Sequence, residues 1–521
     1  MPRLTPQPHS RSLPRPTLQA LCASVLIASQ VLLPVPALAQ IQQVLPGMGD
    51  GGEMTASAER HLGDQIAREL YRDTDYIDDP VIAAYVQDIW QRLLVAARAR
   101  GELTPELDER FAWTILLGRD RNINAFALPG GYLGLNLGLV AVVGSRDELA
   151  TVLGHELSHV TQRHISRIMT KQGRQMPLMI AGLILGMIAA GKSRNGDAGQ
   201  AMIMGSQAMF AQNQLNFSRD MEREADRIGF GVMTQAGFAP QGAATMFEKL
   251  QYASRLNDNG SYPYLRSHPL TTERISDMQG RFQFNMDTVP PQPLAMDHAM
   301  IASRARVLTR PGVDVLRLWI DSASSGEFAK SSPAQQAGTL YAAALSAKEM
   351  RDYKTARALA ERLAARVADD PAAAKQARWL GAEIELAAGA APRAAALLDA
   401  RSKERPEMLL SAEAATAMRQ PAPMIPVLRD WVAANPRDAT VWRALGNLYG
   451  AQNDTLRAVR ADAEANVAIL DYPAARDRFK AAQEIVRQSK VVDHYEASII
   501  DTRARAVEVL VKEQAAEPPL K

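Results

Sequence analysis

The first half of the chain combines helical and strand-like spacings of apolar residues. From about residue 59 to 99 the pattern is helical, because Asp79 and Pro80 can begin a helix whose apolar side chains recur every four residues. Residues 111–117, FAWTILL, form a compact apolar run that predicts a strand, and residues 125–139 predict a second strand with a turn at Pro129-Gly130-Gly131. A short apolar helix with Asp147 and Glu148 in its first turn should follow.

The second half has a different pattern, in which short helical segments are rich in alanine. From about residue 330 to 490 these segments are punctuated by prolines at 333, 371, 406 and 436, a spacing close to the 34-residue tetratricopeptide period. Trp442-x-x-Leu445-Gly446-x-x-Tyr449 matches the first helix of that repeat. Helix pairs of this kind bury their apolar faces by stacking, which predicts a curved solenoid with a concave binding surface. A plain helical bundle is the alternative.

Composition divides the chain into five segments. Residues 1–39 have a basic start, an apolar stretch and Ala37-Leu38-Ala39, which predicts a secretory signal cleaved near Ala39; an N-terminal membrane anchor is the alternative. We expect a compact domain at 59–282, a partly proline-rich linker at 283–329, the repeat domain at 330–490, and a C-terminal helix and tail at 491–521.

An uncharged apolar stretch, MPLMIAGLILGMIAA, occupies residues 176–190. It is shorter than the ~20 residues that a membrane-spanning helix needs. Two interpretations remain open. The stretch forms a buried or capping hairpin with the apolar residues 201–211, or it makes a peripheral contact with a membrane or an unfolded client.

Charge and cysteine content exclude some classes of function. The 521 residues carry a net charge of +2, so no nucleic-acid partner is expected. The single cysteine, Cys22, lies in the predicted signal. The mature chain should therefore have neither disulfides nor thiol chemistry.

The most specific motif is His155-Glu156-Leu157-Ser158-His159, which has the form H-E-x-x-H. Four residues advance a helix by slightly more than one turn, so His155 and His159 lie on the same face. Two neutral imidazoles there can bind one Zn²⁺ ion per chain, and Glu156 beside them can transfer a proton.

A catalytic zinc site needs a third protein ligand. Glu222 and Asp226 are four residues apart in a predicted helix and share one face, so one carboxylate can bind the metal while the other orients a ligand imidazole. Glu224 lies half a turn off that face, and we expect it to be solvated.

Three motifs resemble those of the M48 family of zinc metallopeptidases. They are Asn124-Ala-Phe-Ala-Leu-Pro-Gly-Gly131, the run from Asp147-Glu148 to His159, and Ser218-Arg219 with Glu222-x-x-x-Asp226. Together with the predicted signal and repeats, they make the chain similar to periplasmic members of that family that assist β-barrel assembly in the outer membrane. The resemblance implies a mainly α fold, in which an α+β zincin-like domain with a small sheet precedes a tetratricopeptide-type solenoid. It also implies that Glu222 is the third zinc ligand and that Asp226 supports the ligands without binding the metal itself.

The resemblance further implies a strand that takes up an extended peptide and a histidine that regulates the metal. The strand would be an edge strand within residues 125–137, as β-augmentation requires. His268, in Ser267-His268-Pro269-Leu270, would occupy the open position of the zinc and keep the enzyme latent; composition alone would treat it as an ordinary loop residue. The substrate-strand residues implied are Ala125, Phe126, Tyr132, Leu133 and Gly134.

The other histidines are predicted to be structural. His164 follows His159 by five residues and should face away from the metal. Arg274 matches a family position near the His268 loop, but the sequence assigns it no chemistry. The remaining histidines given a structural role are His61, His298 and His494.

Two main hypotheses for function follow, and they are compatible. In the first, Glu156 is the general base of a periplasmic zinc endopeptidase that cleaves misfolded or misassembled outer-membrane proteins. In the second, the repeats make the chain a chaperone or assembly scaffold, which binds clients or the β-barrel assembly machinery while the peptidase is largely latent. A structural zinc site is disfavoured because cysteine ligands are lacking, and an integral-membrane peptidase because only the signal approaches the length of a span.

Overall fold

The computed structural model describes residues 54–172, 218–255, 263–283, 294–491 and 493–517. The predicted signal at 1–39 and the apolar stretch at 176–190 lie outside these residues. Among the helices of the described ranges, none combines the length and the apolar character that a membrane crossing requires.

A small sheet lies near the start of the described chain. Its strands are β1 (Tyr76–Ile77), β2 (Thr114–Gly118), β3 (Ala125–Leu128) and β4 (Tyr132–Asn136), in the order β1-β2-β4-β3. β2 and β4 are parallel, whereas β3 and β4 form an antiparallel hairpin around Pro129–Gly131. β3 is therefore an edge strand.

Both strand predictions need adjustment at their ends. The predicted strand at 111–117 begins only at Thr114, because Trp113 has a left-handed backbone with a φ of 49° that interrupts an extended chain. The predicted strand at 125–139 is a hairpin of two strands, and a helix starts at Leu137. Within the implied substrate strand, Tyr132, Leu133 and Gly134 lie on β4, which is paired on both sides. These three residues are therefore not on an edge strand, which corrects that part of the implication, whereas Ala125 and Phe126 lie on the edge strand β3 and their contact with a peptide stays a prediction.

Helices surround this sheet. The pattern at 59–99 is confirmed as two helices, and the carboxylate of Asp79 caps the second by accepting a hydrogen bond from the backbone N–H of Ile82 at 2.9 Å. The helices of this region are α1 (Ala56–Arg72), α2 (Pro80–Ala99), α3 (Pro105–Arg110), α4 (Leu137–Val142), α5 (Arg146–Thr161), α6 (His164–Gln172), α7 (Arg219–Gln235), α8 (Gln241–Arg255), α9 (Tyr264–Ser267) and α10 (Thr272–Gln283).

The predicted linker at 283–329 is wrong for its described part, which is helical. It contains α11 (Met296–Leu308), α12 (Val313–Ser322) and α13 (Gly326–Lys330). α11 is almost entirely buried, because Ile301 and Ala305 pack into the core of the first half while Met300 and Val307 pack into the next core. Because α11 packs on two sides, it is apolar around most of its circumference. Composition alone could not distinguish such a helix from a linker.

Five helix pairs follow, and their first helices begin at Pro333, Pro371, Arg405, Ala439 and Tyr472. Stacked pairs at this spacing agree with a solenoid of the tetratricopeptide type. The predicted C-terminal helix is present, and it packs on its predecessor as the second member of a pair. The pairs are α14 (Pro333–Glu349) with α15 (Tyr353–Arg366), α16 (Pro371–Ala387) with α17 (Ala391–Ala396), α18 (Arg405–Ala417) with α19 (Met424–Ala434), α20 (Ala439–Ala451) with α21 (Thr455–Ala468), and α22 (Tyr472–Gln488) with α23 (His494–Ala515).

Ion pairs at neighbouring residues join the two halves. The buried guanidinium of Arg304, on α11, pairs with Asp79 at 2.6 Å and with Glu383, on α16, at 2.9 Å. Arg405, on α18, donates to Asp78 at 3.0 Å and to Asp438 at 2.7 Å. Asp78 and Asp79 immediately precede α2, so the start of that helix is tied both to α11 and to the repeats.

Candidate metal centre

α5 carries the H-E-x-x-H motif and is buried along nearly its whole length. Ser145 caps its N-terminus by accepting a hydrogen bond from the backbone N–H of Glu148. His155 and His159 project from one face, as predicted, and their Nε2 atoms are 2.9 Å apart. Both rings are almost inaccessible to solvent.

α7 crosses α5 at a close contact between two glycines. A Cβ atom at Gly229 would lie 2.9 Å from the backbone of Gly154, so only glycine permits this approach. The crossing places Glu222, two turns earlier on α7, beside both rings. Its Oε2 is 3.5 Å from Nε2 of His155, and its Oε1 is 3.5 Å from Nε2 of His159.

Asp226 holds the other side of the first ring. Its Oδ1 lies 2.9 Å from Nδ1 of His155, whose Nε2 faces the other ligands. Asp226 therefore accepts the Nδ1 proton and orients the ring, as the sequence predicted for a carboxylate one turn from Glu222.

Arg274, to which the sequence assigned no chemistry, lies behind these carboxylates. It donates two hydrogen bonds to Asp226, at 2.7 and 2.8 Å, and pairs with Oε2 of Glu222 at 2.8 Å. It also donates to the carbonyl of Pro269 at 2.9 Å. One buried guanidinium thus fixes both acidic residues and the residue that follows His268.

His268 joins the same cluster, although it is far away in the sequence. Its Nδ1 lies 3.0 Å from Oε1 of Glu222 and 3.3 Å from Nε2 of His155. The ring packs on that of Tyr264, with centroids 4.7 Å apart. Among the described residues, the ligand atoms of His155, His159, Glu222 and His268 lie within 4.8 Å of one another.

His164 is not among the four candidate ligands, but its ring contacts one of them instead of pointing away from the site. Its Nδ1 lies 2.8 Å from Nδ1 of His159, and its Nε2 lies 3.0 Å from Glu224. Helical spacing does not apply between the two histidines, because α5 ends at Thr161 and Arg163 has a left-handed backbone with a φ of 52°. Glu224, predicted to be solvated, is only partly exposed and accepts hydrogen bonds from His164 and Arg167.

Glu156 lies between the ring cluster and the sheet edge. It is fully buried, and its Oε2 accepts a hydrogen bond from the backbone N–H of Ala127 on β3 at 2.9 Å. Its Oε1 is 3.4 Å from Nε2 of His268. The side chain beside the candidate ligands thus contacts the strand implied to bind substrate, and no feature of the sequence indicated this bond.

The buried carboxylates and imidazoles of the cluster shift one another's pKa values. Burial opposes the charged ring, yet hydrogen bonds with Asp226 and Glu222 raise the pKa of His155 to about 10. Burial and the neighbouring His155 hold the pKa of His159 well below its usual range. Burial raises the pKa of Glu156, whereas for Glu222 the same effect is outweighed by His268 and His155, so its pKa is well below normal.

The donor set fits a divalent metal ion. If Nδ1 of His155 donates to Asp226 and Nδ1 of His159 to His164, both Nε2 lone pairs point at each other across 2.9 Å. A carboxylate and a third imidazole converge on the same point. Such lone pairs repel unless a proton or a metal ion lies between them, and nitrogen and oxygen donors of this kind suit a transition metal. His61, His298 and His494 are not among these four residues, and His298 instead links Tyr85 to the carbonyl of Val143.

Comparison with known proteins agrees with this arrangement. The model of Peptidase family M48 matches residues 82–282, which include the candidate ligands. The chain is 30% identical over 456 residues to the Beta-barrel assembly-enhancing protease of Escherichia coli K12, a match that covers 85% of this chain and 88% of that protein. A Vibrio cholerae relative, provisionally named a beta-barrel assembly-enhancing protease, is 36% identical over 309 residues, or 58% of each chain. The Mitochondrial metalloendopeptidase OMA1 of Saccharomyces cerevisiae is 27% identical over 229 residues, covering 42% of this chain and 62% of that one. The chain is therefore a metallopeptidase that belongs to peptidase family M48.

Proposed function

We propose that the protein is a zinc-dependent endopeptidase in which His155, His159 and Glu222 hold one Zn²⁺ ion and Glu156 is the catalytic base. The observation that carries the proposal is the convergence of these buried donors at one point, with Glu156 directly beside them. Two imidazoles and one carboxylate are a ligand set of catalytic zinc sites, which leave one position for water or substrate.

When bound, zinc would lower the pKa of a water molecule and polarise the scissile carbonyl. Glu156 would accept a proton from the water molecule that attacks the carbonyl carbon, and would then deliver this proton to the leaving amine nitrogen as the C–N bond breaks. Burial raises the pKa of Glu156 above its usual value, which makes the carboxylate a better proton acceptor. Asp226 and Arg274 keep the ligands in place during these steps.

The edge strand β3 is where an extended peptide would bind. Its outer edge faces α5, because the backbone N–H of Ala127 points to Glu156 and not to β4. A substrate that adds there as a further strand would place its carbonyl carbon near the proposed ligands. Ala125 and Phe126 lie on the same strand and would contact the peptide.

His268 would be an inhibitory ligand in the resting state. Its ring lies 3.0 Å from the proposed ligand Glu222 and 3.4 Å from the proposed base Glu156. A peptide could not reach the metal while this ring remains there. We therefore propose a latent enzyme that opens when the loop carrying His268 moves away.

The proposed clients are misfolded or misassembled outer-membrane proteins in the periplasm. The support is the names of two relatives, the predicted signal, and the stacked helix pairs next to the peptidase half. The second candidate function, a chaperone or assembly scaffold for β-barrel proteins with the peptidase largely latent, is favoured by the same helix pairs and by the position of His268. Binding to the β-barrel assembly machinery would be mediated by the repeats.

Substitution of Glu156 by Gln tests the enzyme proposal. The Glu156→Gln protein should retain zinc and lose casein cleavage by about 10²–10⁴-fold, the usual contribution of a general base. Glu273→Gln, an exposed glutamate on α10, is the matched control and should cleave normally. A zinc-loaded Glu156→Gln protein that cleaves at the wild-type rate would exclude Glu156 as the base.

A further inference from the structure

The chain reverses sharply just after the H-E-x-x-H helix. Arg163 adopts a left-handed backbone with a φ of 52°, and its side chain pairs with the buried carboxylate of Glu59 at 2.9 Å. α6 begins at the next residue, so the ring of His164 is directed back onto α5. A non-glycine residue in this conformation costs energy, which the ion pair with α1 helps to offset.

This reversal creates a line of three side chains that ends at the surface. Nδ1 of His159 is 2.8 Å from Nδ1 of His164, and Nε2 of His164 is 3.0 Å from Oε2 of Glu224. Both rings are buried, whereas 30% of the Glu224 side chain is exposed. Arg167 also donates to Oε2 of Glu224, at 2.8 Å, and holds that carboxylate in place.

When both rings are neutral, these hydrogen bonds allow one set of tautomers. The carboxylate of Glu224 can only accept, so Nε2 of His164 carries a proton and its Nδ1 is an acceptor. Nδ1 of His159 must then be the donor in the bond between the rings, which leaves the Nε2 lone pair of His159 facing the other ligands. The line therefore fixes the tautomer that a metal requires, and it does so from outside the ligand set.

The Nδ1 atoms of His155 and His159 have different hydrogen-bond partners. His155 donates directly to the carboxylate of Asp226, which Arg274 holds. Among the described residues, Nδ1 of His159 is connected to the carboxylate of Glu224 through a second imidazole, that of His164. Partners of ligand rings commonly change metal affinity or activity by about 10–100-fold when they are removed.

We infer that His164 and Glu224 are positioning residues, which orient His159 and hold its Nε2 ready for the metal ion. The inference rests on the proposed function only in that a metal ion binds at this site, and it does not depend on peptide cleavage. Neither residue contacts substrate or the reacting atoms. The sequence signal is the histidine five residues after the motif, which becomes meaningful only once the reversal at Arg163 is known.

Metal affinity measured by competition with a chelator tests the inference, using Zn²⁺ for binding and Co²⁺ for its visible spectrum. His164→Leu removes both hydrogen bonds and should weaken Zn²⁺ binding by about 10–100-fold and alter the Co²⁺ bands. His164→Asn, whose side-chain oxygen can replace Nδ1 as an acceptor, should retain more affinity than the leucine variant. Glu224→Gln should weaken binding less than His164→Leu, and Glu273→Gln on the same surface should have no effect.

The outcomes separate this inference from the proposed function. Unchanged Zn²⁺ affinity and unchanged Co²⁺ bands in folded His164→Leu protein would overturn the positioning role. If the leucine variant does not fold, equal affinities for wild type, His164→Asn and Glu224→Gln would overturn it instead. A wild-type protein that binds Zn²⁺ tightly but cleaves no peptide would refute the peptidase proposal while the affinity comparison still decides the role of His164.

Discussion

The imidazole of His268 lies against the carboxylate of Glu222, with Nδ1 3.0 Å from Oε1. The two residues come from different helical segments, 46 positions apart, and both are buried. Because Glu222 is also a proposed metal ligand, this contact places His268, the proposed inhibitory residue, directly beside the metal site. Movement of the loop at His268 would expose the metal without moving either ring of α5.

Removal of the His268 ring should activate the enzyme. His268→Ala should increase casein cleavage by several-fold with zinc retained, because three proposed protein ligands remain and the fourth position becomes accessible. The neighbouring Ser267→Ala, which loses only a hydrogen bond to the carbonyl of Tyr264, should cleave at the wild-type rate. A rate for His268→Ala equal to or below wild type, at full zinc content, would count against a latch.

Arg274 should matter for both folding and metal binding. Arg274→Ala leaves the carboxylates of Glu222 and Asp226 buried without their guanidinium partner, which should cost about 3–5 kcal/mol of unfolding free energy. Arg274→Lys restores the charge but not the two parallel hydrogen bonds, so its loss should be intermediate. Denaturant unfolding and zinc content measure the two effects, with the exposed Arg223→Lys as control. If Arg274→Ala matched wild type in both, the buried ion pairs would have no role.

The glycine contact between α5 and α7 predicts a matched pair of variants. Gly229→Ala would place a Cβ atom 2.9 Å from the backbone of Gly154, and backbone cannot yield as a flexible side chain does. We expect a loss of about 1–3 kcal/mol in stability and weaker zinc binding, because α7 carries Glu222. Gly231→Ala, on the same helix, would meet only the end of the Arg100 side chain and should be close to neutral. Equal behaviour of the two variants would show that the crossing tolerates separation.

The ion pair of Asp79 and Arg304 predicts a pH dependence of stability. Burial alone would raise the pKa of Asp79, but Arg304 and the backbone N–H of Ile82 outweigh it, so the pKa lies below its usual value. A carboxyl group whose pKa is lower in the folded protein stabilises the fold at every pH above its pKa in the unfolded chain, near ~3.9. This stabilisation is lost as the pH falls toward the pKa of the folded protein.

Asp79→Asn isolates this contribution. At pH 7 the variant should be less stable by about 3–5 kcal/mol, because the buried Arg304 loses a partner. The difference from wild type should shrink as the pH falls below about 5. Urea unfolding between about pH 2.5 and 7, a range that extends below the unfolded value near ~3.9, tests this expectation. A difference that stays constant over the whole range would show that Asp79 does not titrate with folding.

Local patterns in the sequence were sufficient for part of the site. His155, Glu156 and His159 follow from one motif on one helix, and Asp226 follows from its spacing with Glu222. Helical spacing is reliable inside α5 and α7, where every residue keeps the same geometry.

Other features depend on contacts between distant segments, and spacing cannot show them. The direction of His164 depends on the single left-handed residue Arg163. The chemistry of Arg274 depends on α10 packing against α7, and the burial of α11 depends on two cores that meet at its opposite sides. The position of Tyr132 depends on the strand order, because a hairpin does not reveal which of its strands pairs with β2.

X-ray absorption of the zinc-loaded protein tests the central claim most directly, because it counts the imidazoles around the metal. We expect one zinc ion per chain with three imidazole nitrogens and a carboxylate oxygen at about 2.0–2.2 Å, and two imidazoles in His268→Ala. Glu222→Ala should lose most of its zinc. Zinc bound without imidazoles, or bound equally well by Glu222→Ala and wild type, would contradict the assignment of His155, His159 and Glu222 as the metal ligands.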